Sequence, residues 1–162
     1  MKNAPNTRPV EDSDRQWVRE ILEGNWGSSH IVTMGAIRDA SALLGIVALL
    51  GQKRVGLLTY RIDAGGCEVV TLNSLVSDAG IGTRLLQSLE KIASHEGCDR
   101  IWLCTTNDNT RALRFYQKRG FTITRVNVNV IAEYRKMKPQ IPESGEDGIP
   151  IRDEIVLEKR LR

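Results

Sequence analysis

The chain has 162 residues, 41% apolar and 27% charged, which suits one soluble domain (1–162) with a proper core. A formal net charge of +3, without a basic stripe interleaved with aromatics, excludes a nucleic-acid-binding reading, and no apolar run reaches bilayer-spanning length. The three cysteines, Cys67, Cys98 and Cys104, lack CxxC or Cys/His spacing, so neither a disulfide framework nor a metal site is expected, and reduced thiols point to the cytoplasm.

In chain order, residues 1–6 are polar and read as disordered, and 7–10 read as a short edge strand because Pro9 cannot donate to a ladder. Ser13 or Asp14 caps a helix whose stripe is Trp17, Val18, Ile21 and Leu22, and Gly24 is predicted to end it. Residues 25–42 have no clean period and read as loop with at most one short element. Residues 43–50 and 55–63 are β-branched runs joined by a polar connection of hairpin length, predicting adjacent antiparallel strands.

Ala64-Gly65-Gly66 turns the chain into a strand from Cys67 through Glu68-Val69-Val70-Thr71-Leu72. This leads through residues 73–79 into Gly80-Ile81-Gly82-Thr83 and a helix with the stripe Leu85, Leu86, Leu89, Ile92 and Ala93, stopped by Gly97. Glycine lets a ligand approach the main chain, and the first helical N–H groups lack intrahelical partners. A pyrophosphate therefore fits at Gly80 to Thr83. Arg84 either pairs with a phosphate oxygen or is an exposed helix arginine.

Residues 99–105 form a strand that follows a helix and so lies parallel to the preceding one, placing a topological switch beside Gly80 to Thr83. Asn107-Asp108-Asn109 caps a short helix that Gly120 ends. A strand over 121–130 changes phase near Thr124 and Arg125, predicting a bulge. Residues 131–138 read as a short helix and 139–150 as loop, before a final strand with Ile151, Ile155 and Leu157 that pairs with 121–130. The connection 131–150 is long for a hairpin. Its Arg135, Lys136 and Lys138 either attract an acidic acceptor or cofactor phosphates, or form a solvated face.

Two segments carry a resemblance. Ser77-Asp78-Ala79-Gly80-Ile81-Gly82 is similar to the phosphate motif of the GNAT-type N-acetyltransferase superfamily, Gln/Arg-x-x-Gly-x-Gly/Ala, with Ser77 and Asp78 standing at its first positions. Asn109 to Phe121 resembles the second signature, Asn-x-x-Ala-x-x-Phe-Tyr-x-x-x-Gly-Phe. The resemblance implies a GNAT-like α/β fold, with a mixed, mostly antiparallel central sheet of about seven strands flanked by helices and a splay between the two central parallel strands.

It further implies acetyl-CoA as cofactor, held by main-chain groups of Leu72, Asn73, Ser74 and Leu75, by Gly80, Ile81, Gly82, Thr83 and Arg84, and by Asn109 and Tyr116. Tyr116 is the implied acid for the coenzyme A sulfur. Glu68 is the implied base, or else a solvent-facing residue at a strand start. The function implied is an N-acetyltransferase acting on a primary amine of a small molecule or peptide by direct attack in a ternary complex; the alternative is a non-catalytic or weakly catalytic acyl-CoA-binding module. Residues 25–42 then help shape the acceptor pocket, with Trp26 and His30 as candidates, and a homodimer is expected of such proteins. An acyl-cysteine route through Cys104 is disfavoured, because a lone buried cysteine belongs to the core.

Overall fold

The computed structural model describes residues 3–161. Met1 and Lys2 of the polar start lie outside them, and Asn6 already belongs to the first strand. The elements are β1(Asn6–Pro9), α1(Arg15–Trp26), β2(His30–Thr33), β3(Ala36–Asp39), β4(Leu44–Leu50), β5(Lys53–Asp63), β6(Gly66–Ser74), α2(Ile81–His95), β7(Arg100–Thr106), α3(Thr110–Gln117), β8(Thr122–Asn127), α4(Ile131–Met137) and β9(Glu154–Arg160). No helix among the described residues is long and apolar enough to cross a membrane.

Seven strands make the central sheet in the order β1-β4-β5-β6-β7-β9-β8, and every neighbouring pair is antiparallel except β6 and β7. The final strand pairs with β8 as its alternation predicts, and it also fills the slot beside β7. The expected bulge is present as a register shift between Ile123 and Arg125. The parallel pairing of β6 with β7 lasts only from Cys67–Ile101 to Val69–Leu103. Beyond it β6 runs on to Ser74 beside β5 and β7 to Thr106 beside β9 without pairing with each other, so the sheet opens there.

Alternation along the strands sorts the core. Leu58, Val69, Ile101, Leu103 and Leu157 face Leu85, Leu86, Leu89 and Ala93 of α2 and Tyr116 of α3. Leu57 and Val70 face the other way, onto Val18 and Leu22 of α1. Buried Asp14 ties α1 to the sheet, accepting from Arg8 Nη1 at 2.6 Å and Arg54 Nε at 2.8 Å.

Two sequence expectations change. Gly24 lies inside α1, which runs on to Trp26 and ends at Gly27 in the left-handed conformation (φ 72°), because the next glycine can adopt the turn that a C-terminal cap requires. Residues 25–42 hold a hairpin, β2 and β3, turned by Met34 (φ 49°) and Gly35 (φ 77°). Two successive positive φ angles match the twist of a two-residue hairpin, but Met-Gly lacks the asparagine or aspartate that normally signals it.

Candidate active site

Where β6 leaves β7, its backbone faces two ways. Leu75 N–H bonds to Val55 O at 2.8 Å, and antiparallel alternation directs Asn73 N–H toward β5 as well. The N–H groups of Leu72 and Ser74 then point into the opening between the parallel strands. Both residues line a groove of 720 Å³ that continues over Val76 to Thr83 and along α3, whereas Asn73 and Leu75 do not. The groove thus joins free strand amides to the start of α2, whose first-turn N–H groups have no intrahelical acceptors.

The second signature packs directly on this loop. A Cβ at Gly82 would meet the Phe115 ring at 2.9 Å, so this glycine is required by the close approach of α3. Arg119 lies over that ring with its guanidinium 3.7 Å from the centroid, and it donates from Nε to Thr83 Oγ1 at 2.8 Å and from Nη1 to Phe115 O at 2.8 Å. Arg111 and Arg119 are the cations of the groove, and Arg84 is exposed on the outer side of α2. Asp78 also lines it, with φ 56°.

Tyr116 borders the same groove. It is 7% exposed and packs edge-on against Phe115 and Phe121, with centroids at 5.1 and 5.4 Å. Burial pushes its phenol well above the ordinary value, so the ring carries a proton across the physiological range.

A second cavity of 500 Å³ lies on the other side of Asn109, which lines both. Asn109 caps α3 by accepting from Ala112 N at 3.2 Å, and so is fixed at the junction. Trp26, Ile31, Val32, Thr33, Val70, Ile131, Tyr134, Ile141 and Pro142 give the cavity a mainly apolar wall, interrupted by Cys104, Asp108, Lys138 and Glu154. Trp26 Nε1 also donates to Asn73 Oδ1 at 3.3 Å. His30 is exposed and does not line it.

Glu68 is 1% exposed and borders neither cavity directly. It accepts from Thr33 Oγ1 at 2.8 Å and pairs with Arg61 Nε at 3.1 Å. Thr33 itself is on the cavity wall, so Glu68 is one hydroxyl away from the space. Glu154, which the sequence analysis did not single out, does line the cavity. Its oxygens accept from Tyr134 Oη at 2.8 Å, Asn127 Nδ2 at 2.9 Å and Met34 N at 3.2 Å. Burial, then Glu154, pushes the Cys104 thiol up, which leaves it a poor nucleophile.

The profile of the Acetyltransferase (GNAT) family matches residues 11–121, which contain β6, the glycine loop and the whole second signature. The chain belongs to the GNAT acetyltransferase family. It is 39% identical over 152 residues to YdhI of Bacillus subtilis, covering 93% of this chain and 95% of that one. Among solved structures it is similar to a Bacillus subtilis acetyltransferase in complex with CoA, with a TM-score of 0.72, 18% identity and coverage of 98% and 99% of the two chains. It is likewise similar to a GNAT family acetyltransferase from Elizabethkingia anophelis with acetyl-CoA bound (TM-score 0.70, 20% identity, 99% and 100% coverage).

As a GNAT sheet, the observed one has the expected single parallel pair and its opening. Of the residues read from the sequence, Leu72, Ser74, Gly80, Ile81, Gly82, Thr83, Asn109 and Tyr116 come together around one groove. Arg111, Phe115 and Arg119 join them unannounced, although all three stand inside the GNAT signature segment. Glu154 and Tyr134 have no such local signal, because β9 reaches the site through its slot beside β7 and Tyr134 comes from α4 in the long connection.

Proposed function

We propose that this GNAT protein is an N-acetyltransferase that moves an acetyl group from acetyl-CoA to a primary amine of a small molecule or peptide. Transfer is by direct attack in a ternary complex. The observation that carries this reading is the meeting of two cavities at Asn109, where the strands separate. One cavity is polar-backboned and cationic; the other is mainly apolar with buried ionisable groups. Such a pair suits a phosphorylated cosubstrate on one side and an acceptor on the other.

The groove fits acetyl-CoA by its own chemistry. Gly80 leaves open space where a Cβ would sit, the first turn of α2 supplies N–H groups for phosphate oxygens, and Arg111 and Arg119 supply charge. The amides of Leu72 and Ser74 are the hydrogen-bonding partners for the pantetheine arm and for the developing oxyanion. When bound, acetyl-CoA supplies the activated acetyl thioester.

The chain's residues handle the protons. Tyr116 lines the groove with its phenol protonated, which supports the role of proton donor to the leaving thiolate. Thr33 lines the acceptor cavity and its Oγ1 donates to Glu68, so the path for an amine proton runs through the Thr33 hydroxyl, which accepts it and passes its own proton to Glu68. Arg61 Nε, 3.1 Å from Glu68, supplies the counter-charge beside that carboxylate.

Thermal unfolding with acetyl-CoA, free coenzyme A and NAD tests the cosubstrate, because a ligand bound only by the folded state raises the midpoint. Stabilisation by both coenzyme A forms and not by NAD is expected, followed by thiol release with primary amines. No shift at saturating acetyl-CoA overturns the proposal. Stabilisation without thiol release from any amine leaves a non-catalytic binding module in its place.

A further inference from the structure

The acceptor cavity contains two buried, oppositely charged side chains that do not pair with one another. Asp108 is 7% exposed, and its Oδ1 is buried with no hydrogen-bond partner. Lys138 is 8% exposed, and its Nζ donates to Trp26 O at 3.0 Å. No carboxylate among the described residues lies within ion-pair distance of Lys138, and burial alone lowers its pKa. Both residues line the same 500 Å³ space.

An uncompensated buried charge is expensive, and an unsatisfied buried carboxylate oxygen adds to that cost. The surrounding chain nevertheless holds both groups in place. Asn107, beside Asp108, is tied to the end of the long connection, donating to Pro150 O at 2.9 Å and accepting from the N–H groups of Arg152 and Asp153. A methyl at Gly145 would overlap the Asp108 carboxylate, so the connection is packed onto it. Lys138 follows α4 at the start of the same connection.

We infer that the acceptor is a zwitterion, an amino acid with an apolar side chain, whose ammonium is received at Asp108 and whose carboxylate is received at Lys138. Asp108 adjoins Asn109, the residue shared by the two cavities, so the amine lies at the junction where transfer must occur. The apolar wall of Ile31, Val32, Ile131, Ile141 and Pro142 faces the side chain. A bound zwitterion supplies each buried charge with the counter-charge that the protein withholds. This inference rests on the acetyltransferase reading for its biological meaning, but the binding site is testable without turnover.

The probes are leucine, methionine and phenylalanine, each compared with its amide and with the amine lacking the carboxyl group. Calorimetry on the protein saturated with coenzyme A reads binding, and thiol release from acetyl-CoA reads transfer. The free amino acids are expected to bind at least tenfold more tightly than their amides or decarboxylated amines. Lys138→Met should erase that difference while leaving the affinity for the amides within about twofold, a split that loss of the Trp26 contact alone does not produce. Lys138→Arg should retain it in part, and Asp108→Asn should weaken all three ligand classes together.

Equal binding of amino acids and decarboxylated amines overturns the inference, as does a preference that survives Lys138→Met. Transfer to decarboxylated amines with no preference for the amino acids refutes the zwitterion and leaves the acetyltransferase reading standing. Tight, Lys138-dependent binding without thiol release supports the zwitterion site and refutes the transfer reading. Binding of none of the probes overturns the inference.

Discussion

Arg119 Nε donates to Thr83 Oγ1 across 2.8 Å, joining the last turn of the second signature to the first turn of the phosphate-side helix. The same guanidinium lies over the Phe115 ring, and that ring in turn occupies the space left by Gly82. Four residues from two separate motifs therefore set one wall of the groove proposed for the cofactor.

Replacing Arg119 by Met removes a groove cation and both of its fixed hydrogen bonds. Affinity for coenzyme A should fall about tenfold, from a loss of roughly 1–2 kcal/mol in charge-assisted bonding. Lysine should rescue little, since it cannot stack as a plane and donate to two acceptors at once. Titration calorimetry with coenzyme A checks this; unchanged affinity in the Met variant refutes it.

Asp78 presents a carboxylate to the groove and holds a left-handed backbone conformation that glycine adopts without strain. Asp78→Gly should tighten coenzyme A binding several-fold and raise stability by about 0.5–1 kcal/mol. The affinity gain should shrink with added salt, because a screened carboxylate repels phosphates less. Calorimetry at two ionic strengths and a denaturant titration read the two effects separately.

The proposed proton path through Thr33 predicts that two variants behave alike. Glu68→Gln and Thr33→Val should each lower kcat with a good acceptor by about a hundredfold, with coenzyme A affinity unchanged. Glu154→Gln should instead affect acceptor KM and stability, since its oxygens are already engaged by three donors. A full loss of kcat in Glu154→Gln, with Glu68→Gln near wild type, transfers the base role to Glu154. Tyr116→Phe should also lower kcat, while Cys104→Ala should leave thiol release close to wild type.

Asp14 supplies an acid-sensitive anchor far from the chemistry. The hydrogen bond from Arg8, reinforced by the Glu11 amide and Arg54, holds its carboxyl well below the ordinary 3.8. Because the folded state binds the proton more weakly, the stabilisation is fully present well above the ordinary 3.8 and is lost progressively as pH falls from there through the lowered folded value. Asp14→Asn should cost about 2 kcal/mol at neutral pH, a value moderated by guanidinium groups that are 30% and 34% exposed. Its stability should also fall less steeply in acid, as urea titrations at pH 7 and pH 3 would show.

Much of this was readable from local sequence. The stripe of Leu85, Leu86 and Leu89, the cap at Asn109 and the phase change at Thr124 each belong to one element, and each appears where its period places it. The acceptor cavity was far less legible. Thr33, Asp108, Lys138 and Glu154 come from four distant segments, and nothing in the spacing of Thr33 and Glu154 foretells that one lies beside Glu68 and the other beside Tyr134. The β2–β3 hairpin carries no local turn signal, because Met34 sits in a turn position that its side chain does not favour.

The parallel seam between β6 and β7 spans three residue pairs, yet among the described residues it is the only strand pairing between β1-β4-β5-β6 and β7-β9-β8. Strand hydrogen bonding alone makes the protein two half-sheets on a short hinge, with the N-terminal end clasped and the other end parted. Any molecule lodged in the parted end acts as a rivet between halves that otherwise rely on packing by the helices. Amide exchange should register this as slower opening along β7 and β9, as well as at the contact residues, once coenzyme A is bound.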